Sequence, residues 1–596
     1  MPAKSPSESR FLSRRALLKS LTAAPLLLRP APFWAEFSSP PASAGTAAFP
    51  SGIEFSDVRL TPHYPSPSPL ADVLKFVAPG FDEYITEKYA VEIEAVFAAW
   101  AAQWKQSPGN TAKVAESLAE VVTLSSLRAP VSETVRASFG IEVIRRKFSA
   151  DPLHGPKDVL ADLQSWLKPF QSIATAEFEI FAIDVKSENP LIVDISARYD
   201  FVGSGSDRRR EERVGAWHMQ WQRDSTSQWK VLQWQAGEET QCIAAGGFID
   251  ITQHTLGGND SLHRHLLHGA DYWRTVLDGA IGLDVYSNNG VAAGDFDNDG
   301  FDDLYICQPA GLPNRLFHNR GDGTFEDVTE KAGVGVLDNT ACALFVDFDN
   351  RGLQDLLVVC GTGPLLYVNR GNGTFRLKSD AFMFANPPQG TFTHASVADY
   401  DGDGRLDVYF CMYQYYLGLD QYHYPVPYYD ARNGPPNCLL HNQGGGNFVE
   451  TTEAAGLNVD NDRYSFAGAW GNAGAAGLPD LFVANDFGTS QLYRNKGNGT
   501  FEVASAASHV EGVGAGMGCV WADFDNDGHQ DVYVPSMWEA AGQRIAQHPR
   551  FHADASDAVR EKYRLQARGN ALYRNDGDGP FENVGHHSGV EMGRRS

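Results

Sequence analysis

The chain of 596 residues lacks any apolar run near the roughly 18 residues that a membrane-spanning helix requires, so no transmembrane segment is expected. Positive charge is in short supply: 49 Lys and Arg face 74 Asp and Glu, a formal net charge of -25. Such a surface repels phosphate backbones and anionic lipid, which argues against nucleic acid as a partner and makes cations the natural guests. Cysteine is scarce too. The seven cysteines are odd in number and the closest two, Cys342 and Cys360, lie 18 positions apart, which excludes a CxxC zinc pair or a CxxCH haem attachment. They read as small buried residues. Also missing are a G-x-S-x-G elbow, HExxH, a G-x-x-x-x-G-K-[ST] loop and a G-x-G-x-x-G fingerprint. A catalytic site needs none of these, so their absence does not exclude an enzyme.

What is present begins with an export pattern. Ser13-Arg14-Arg15-Ala16-Leu17-Leu18-Lys19, an apolar stretch from Leu21 to Leu28 and the small-x-small Ala42-Ser43-Ala44 read together as a twin-arginine signal peptide over residues 1–44. The expected location is periplasmic, or secreted to the cell surface, where calcium is available. Residues 45–240 read as an α+β domain. Ile85, Tyr89, Ile93, Val96, Phe97, Trp100 and Trp104 have helical spacing, and a second helical stretch is expected from Ala112 to Leu127. The period then changes to two: Leu191, Val193, Ile195, Ala197, Tyr199 and Phe201 mark one strand, Trp217, Met219 and Trp221 a second, and Trp229 to Gln235 a third of an antiparallel meander. Helices followed by a curved meander resemble the NTF2-like cone fold, which implies a pocket, although the Trp and Tyr residues read more readily as core. Residues 241–289 form a linker that carries His254, His263, His265 and His268. Their spacing fits neither HExxH nor a zinc-finger pair, so a polar linker is expected rather than a metal site completed by Asp271.

From residue 290 to residue 596 the chain repeats itself. Asp295-Phe-Asp-Asn-Asp-Gly-Phe-Asp-Asp303 recurs as Asp399-Tyr-Asp-Gly-Asp-Gly-Arg-Leu-Asp407 and as Asp523-Phe-Asp-Asn-Asp-Gly-His-Gln-Asp531, with weaker copies from Asp347 and Asn472. The starts at 295, 347, 399, 472 and 523 are spaced by 52, 52, 73 and 51, a period that suits the four short strands of a β-propeller blade. Positions 1, 3, 5 and 9 place Asp295, Asp297, Asp299 and Asp303 together, Gly300 permits the bend, and the Phe301 backbone carbonyl completes an all-oxygen nest. The second nest is Asp399, Asp401, Asp403 and Asp407 with the Arg405 carbonyl; the third is Asp523, Asp525, Asp527 and Asp531 with the His529 carbonyl. Clustered carboxylates call for a hard cation, and about three structural Ca2+ sites are expected. These loops are not EF-hands, because position 12 holds Ile306, Phe410 and Val534 in place of a bidentate Glu. Two copies depart from the pattern: Arg351 takes position 5 of the Asp347 loop, where it is expected to act as a fixed internal cation beside Asp347, Asp349 and Asp355, and Gly474 and Ala476 empty the loop at Asn472.

This array, with Ala484-Asn-Asp-Phe-Gly488, Gly434-Pro-Pro-Asn437, Gly569-Asn-Ala-Leu-Tyr573 and turns such as Asn319-Arg-Gly-Asp-Gly-Thr-Phe325, resembles the FG-GAP or VCBS-repeat propellers and more closely the bacterial ASPIC/UnbV group related to cartilage acidic protein. The resemblance covers about Phe248 to Ser596 and implies a mainly β fold, an integrin-α-like calcium propeller of seven blades, with no catalytic residue to carry over. Gly589 to Ser596 looks like the lead-in to a further blade, so either the sequence is a fragment or its ring closes irregularly. Phe248-Ile-Asp-Ile-Thr252 resembles a blade's last strand and is expected to complete the final blade.

The 73-residue spacing contains an insertion with Tyr413, Tyr415, Tyr416, Tyr422, Tyr424, Tyr428 and Tyr429, which reads equally as a ligand-binding loop for sugar rings or a partner's apolar surface and as a self-packed cover. A second insertion, Trp538 to Arg568, carries a short helix from Asp554 to Leu565. The expected function is an exported, calcium-stabilised binding or adhesion protein without its own catalysis, recognising a glycan or an extracytoplasmic protein. An exported propeller enzyme acting on polysaccharide and a scaffold subunit of a surface assembly are the alternatives.

Overall fold

A computed structural model of the chain describes residues 78–80 and 84–591, apart from 130, 150, 206–208, 247, 270, 271, 274–289, 416–423, 475, 476 and 578. The twin-arginine segment lies outside the described residues. Contacts divide the chain into Met1–Ala95 and Val96–Ser596, with the boundary inside the first described helix, α1 (Ile85–Gln106).

After α1 come α2 (Ala112–Ser117), β1 (Leu118–Ser125), the hairpin β2 (Val131–Ser138) and β3 (Ile141–Lys147), β4 (Pro152–His154), α3 (Pro156–Leu167) and four long strands: β5 (Ser172–Glu188), β6 (Leu191–Ser204), β7 (Arg210–Arg223) and β8 (Trp229–Ala244). The alternating strands at 191, 217 and 229 therefore form as expected. The helix expected through Leu127 stops at Ser117. Beyond it Val121, Val122 and Thr123 are β-branched and join a strand, with Thr123 opposite Gln233 and Leu124 opposite Trp234 of β8. Eight strands make one sheet in the order β2-β3-β8-β7-β6-β5, with β1 paired to β8 and β4 paired to β1.

The aromatic residues are core. Trp100 stacks between Trp221 and Trp234 with ring centroids 5.8 and 5.6 Å away, Phe97 stacks on Phe178 at 4.7 Å, Trp104 lies 5.5 Å from Phe201 and Trp217 4.6 Å from Trp234, and these tryptophans, Phe97 and Phe201 are buried. Glu239 on β8 is buried beside these rings: it pairs with Arg146 at 2.7 Å and accepts from Trp166 Nε1 at 3.0 Å and from the Tyr199 hydroxyl at 2.8 Å. Burial, and then the Glu239 charge, hold the Tyr199 hydroxyl well above its usual range, so it stays a donor.

From residue 291 onward, antiparallel sheets follow one another, each built on four strands hydrogen-bonded in chain order. Blade 1 is β9 (Val291–Gly294), β10 (Asp303–Ile306), β11 (Arg315–Asn319) and β12 (Phe325–Asp327), followed by the helical turn α5 (Thr329–Ala332). Blade 2 is β13 (Thr340–Val346), β14 (Asp355–Cys360), β15 (Gly363–Asn369) and β16 (Phe375–Lys378). Blade 3 is β18 (Gly390–Ala398), β19 (Asp407–Tyr415), β20 (Cys438–Asn442) and β21 (Phe448–Glu450), with β17 (Phe382–Met383) added parallel to β21 as a fifth strand. Blade 4 runs through Tyr464–Gly471, Asp480–Asp486, Gln491–Asn495 and Phe501–Val503, and blade 5 through Val520–Ala522, Asp531–Val534, Ala571–Arg574 and Glu582–Asn583. This is the mainly β propeller architecture expected from the repeats, with five blades among the described residues.

Hydrophobic cores lie between neighbouring blades. Tyr305 and Leu316 of blade 1 pack with Leu356 and Val358 of blade 2, Leu357 and Val359 with Phe410 and Leu440 of blade 3, and so on around the array. Six of the seven cysteines belong to this part of the chain, and none of the seven forms a disulfide.

Residues 248–251 are not a strand. Asp250 Oδ1 accepts from Thr252 N at 2.8 Å, an Asx-type turn that leads into α4 (Thr252–Leu256), and Phe248 is 99% exposed. The closing-strand expectation is corrected accordingly.

Replacing Glu239 by Ala would leave Arg146 and two buried donors without their acceptor. The expected cost is about 3–5 kcal/mol, read as a fall in the urea midpoint of the tryptophan fluorescence transition; an unchanged midpoint would contradict this account of the core.

Candidate functional site

The three acidic loops have one geometry. In each, the position-1 carboxylate accepts backbone N–H groups from inside the loop: Asp295 from Asp299 and Gly300 at 3.0 and 2.9 Å, Asp399 from Asp403 and Gly404 at 3.0 and 2.9 Å, and Asp523 from Asp527 and Gly528 at 3.1 and 3.0 Å. The position-5 carboxylate accepts from the residue at position 7, so Asp299, Asp403 and Asp527 bind the N–H of Phe301, Arg405 and His529 at 3.0, 2.9 and 2.8 Å. Two left-handed residues make such a tight loop possible: position 4 is Asn298 (φ 59), Gly402 (φ 78) or Asn526 (φ 63), and position 6 is always glycine.

The position-9 carboxylates of Asp303, Asp407 and Asp531 are at most 1% exposed. Each accepts from a backbone N–H near the loop's start and from the Asn at the end of the third strand, or in blade 5 from Asn575 just past it; for Asp303 these are Phe296 N at 3.1 Å and Asn319 N at 2.8 Å. Burial is the largest influence on these carboxyls and raises all three, Asp407 to about 6. A bound cation would reverse that tendency. Carboxylate oxygens of Asp295, Asp297 and Asp299 lie within 4.8 Å of one another, as do those of Asp399, Asp401 and Asp403, and those of Asp523, Asp525 and Asp531. Ligands at opposite sides of one ion are about that far apart, given metal–oxygen distances near 2.4 Å.

Blade 2 shows that the nest accepts a cation. Arg351 Nη2 lies 2.5 Å from Asp355 Oδ1, its Nε 4.0 Å from Asp349, and its Nη1 donates to the Asn369 carbonyl at 3.1 Å. Its side chain thus meets positions 3 and 9, as expected, while Asp347 accepts from the Arg351 and Gly352 backbone. In blade 4 the loop keeps only Asp480 at position 9, and Arg494 stands against Gly474. Ala476 lies outside the described residues.

Among the described residues the linker histidines belong to no group that could hold a metal, and Asp271 lies outside the described residues. His263 Nε2 lies 3.0 Å from the Gly257 carbonyl, Arg315 contacts His265 Nδ1 at 2.8 Å, and the His268 ring stacks on Tyr272 at 4.0 Å. Burial, then Arg315, lowers the His265 pKa, which leaves it a neutral acceptor.

The insertions occupy the other end of the strands. The acidic turn of blade 3 joins its first two strands, whereas residues 416–437 join the second to the third; in blade 5 residues 535–570 hold the same place and carry α6 (Ala540–Gln547) and α7 (Asp557–Gln566). The two insertions meet. Lys562 Nζ and Arg463 Nη1 bind the two oxygens of Asp430 at 2.9 and 2.6 Å, and the Tyr429 and Tyr563 rings lie 5.3 Å apart. Burial opposes the Asp430 charge, but these two cations hold its carboxyl below the usual range. Tyr413 donates to Asp486 at 2.5 Å and Tyr428 packs on Phe487 at 5.0 Å. Tyr424 and Tyr428 remain 51% and 43% exposed and Tyr415 is half-buried, while Tyr416 and Tyr422 lie outside the described residues. Arg544 of α6 donates to the Ile180 carbonyl of β5, tying this face to the eight-stranded sheet.

The Gly-Pro-Pro-Asn and Ala-Asn-Asp-Phe-Gly segments serve as staples. Asn437 Nδ2 donates to Ser465 Oγ and Ser465 Oγ to Asn485 Oδ1, each at 2.8 Å, so blade 3 is bound to blade 4. Gly434 packs so close to Arg463 that a Cβ would lie 2.2 Å from its carbonyl oxygen.

The model of the FG-GAP-like repeat family matches residues 295–358, 347–410 and 476–534. The chain carries FG-GAP-like repeats. It is similar to cartilage acidic protein 1 of Homo sapiens, 32% identical over 193 residues, which is 29% of this chain and 28% of that protein. With the Xenopus tropicalis protein of that name it is 32% identical over 134 residues, 22% of this chain and 20% of that one. The chain thus spans less than a third of the length of these relatives. A structure of an Agrocybe aegerita lectin, described by its specific recognition of non-reducing terminal N-acetylglucosamine, aligns over 50% of this chain and 65% of that one with 16% identity and a TM-score of 0.28, too low to carry an inference. No described helix is long and apolar enough to cross a membrane.

Arg351→Asp would rebuild the position-5 carboxylate at the cost of the internal cation. The variant is expected to lose about 3–5 kcal/mol of stability in EDTA and to regain most of it when a divalent cation is supplied; indifference to the cation would contradict the stand-in role of Arg351.

Proposed function

We propose that the protein is an exported binding protein whose FG-GAP-like propeller is stiffened by three calcium ions and recognises a glycan or an extracytoplasmic protein through its capped face. The observation that carries this reading is the separation of tasks between the two ends of the blades. Acidic turns gather at one end, where the geometry suits hard cations held by Asp295, Asp297, Asp299 and Asp303, by Asp399, Asp401, Asp403 and Asp407, and by Asp523, Asp525, Asp527 and Asp531, with the Phe301, Arg405 and His529 carbonyls. Calcium there neutralises clustered carboxylates and fixes the turns; it takes no part in chemistry. Recognition residues gather at the other end, where two insertions lock together through Asp430 and present Tyr424, Val426 and Tyr428 to solvent. Aromatic rings held on a rigid support bind sugar faces or apolar partner surfaces with little loss of conformational freedom. The twin-arginine pattern at Arg14 and Arg15 supports delivery of the folded, metal-loaded protein out of the cytoplasm.

Changing Tyr415 and Tyr424 together to Ala is expected to abolish retention on a polysaccharide matrix that holds the parent protein, with the unfolding midpoint unchanged. Equal retention of variant and parent on every matrix that binds the parent would contradict recognition by this loop.

A further inference from the structure

The loop that carries Tyr424, Val426 and Tyr428 also carries an ion pair. Arg432 Nη1 lies 2.6 Å from Asp460 Oδ1, and 47% and 35% of the two side chains are open to solvent. The loop fixes where that pair stands. Arg432 N donates to the Val426 carbonyl at 3.4 Å, and the Asn433 side chain donates to the Tyr424 carbonyl at 2.8 Å and accepts from Val426 N at 3.0 Å. A planar fork of donors and a carboxylate therefore stand beside exposed rings on a braced turn.

Charge decides what this surface accepts. Arg463 and Lys562 are both committed to Asp430, at 2.6 and 2.9 Å, and Asp462 and Asp430 add to the field of Asp460 around Arg432. Each of these three cations thus has a carboxylate against it, and the chain as a whole carries a formal charge of -25. A ligand carboxylate or sulfate would enter a field of its own sign and compete with acids already in place. A sugar hydroxyl meets no such obstacle, since it donates to Asp460 and accepts from Arg432 at the same time. Size points the same way. Two half-exposed tyrosines and one valine offer on the order of 300 Å2, far below the roughly 800 Å2 that each partner buries in a stable protein interface but enough for the faces of sugar rings.

We infer, on the recognition role proposed for this loop, that its ligand is an uncharged polysaccharide. Sugar rings lie on Tyr424 and Tyr428, their hydroxyls are held by Arg432 and Asp460, and uronic-acid and sulfated chains are rejected. The pair works because both of its members keep hydrogen-bonding capacity toward solvent, while the cations behind it are occupied in holding the loop.

Native gels, each cast with one polymer, test this on the full chain. Hydroxyethyl cellulose, soluble starch and dextran are the neutral probes, and carboxymethyl cellulose and polygalacturonate the acidic ones. The parent protein is expected to be slowed by at least one neutral polymer and by neither acidic one. Asp460→Asn removes the carboxylate and leaves Arg432 without its counter-charge, so the variant is expected to bind the neutral polymer at least about tenfold more weakly and to become slowed by the acidic ones. Parent protein slowed most by an acidic polymer, with the effect lost in the Tyr415→Ala, Tyr424→Ala variant, would overturn the neutral selectivity and leave the loop as the recognition site. Retardation that the tyrosine variant retains in full would overturn both. No retardation by any polymer would overturn the glycan assignment and turn the loop's recognition role to a protein partner. The parent protein's behaviour across the polymers decides the matter even if Asp460→Asn does not fold.

Discussion

The propeller depends on a bond that every blade repeats. Asp303, Asp355, Asp407, Asp480 and Asp531 are buried at position 9 of their turns, and each accepts the backbone N–H of the Asn at the end of its blade's third strand, or in blade 5 of Asn575 just past it, at 2.7 to 2.8 Å. The Asn side chain then reaches back to the preceding blade: Asn369, Asn442 and Asn495 donate to the carbonyls of Phe296, Phe348 and Tyr400 at 2.7, 2.8 and 2.8 Å. A buried carboxylate thus fixes an amide, and the amide fixes the neighbouring turn. Hydrogen bonds to charged groups contribute about 1.5–3 kcal/mol each, so this ladder is a large share of what holds adjacent blades in register beyond their apolar contacts.

The acidic turns are built on that ladder. Once position 9 is fixed, three further carboxylates stand in the small space above it, and their mutual repulsion has to be met by a positive charge. Blade 2 meets it with Arg351 and blade 4 drops the carboxylates, so neither depends on a metal in the way proposed for blades 1, 3 and 5. With one end of the blades thus committed to stability, the opposite end is free to carry insertions. Their shared anchor, Asp430 between Arg463 and Lys562, gives the exposed tyrosines a rigid base.

Much of this was legible in the sequence because it is local. The spacing of Asp295, Asp297, Asp299 and Asp303 within nine residues announces convergence, and Arg351 at position 5 announces its own substitute cation. The alternation from Leu191 to Phe201 announces a strand for the same reason. What stayed hidden depends on partners far along the chain. Asn369 bonds a carbonyl 73 residues away, and His318 meets Asp303 only because strand register brings it there. Residues 118–125 read as helix because their apolar spacing tolerates either period; pairing with β8 decided for strand. Phe248 to Thr252 has the letters of an outer strand, yet the bond from Thr252 to Asp250 turns it into a helix start.

The central claim is that divalent cations at three acidic turns hold the propeller together, and thermal unfolding of the full chain in excess EDTA and then in millimolar calcium, with bound metal counted, tests it most directly. A site with free calcium at a hundred times its dissociation constant adds about 2.7 kcal/mol to folding, so the account predicts three ions per chain and an unfolding midpoint raised strongly by calcium. The same midpoint in both solutions, with no bound metal, would contradict it.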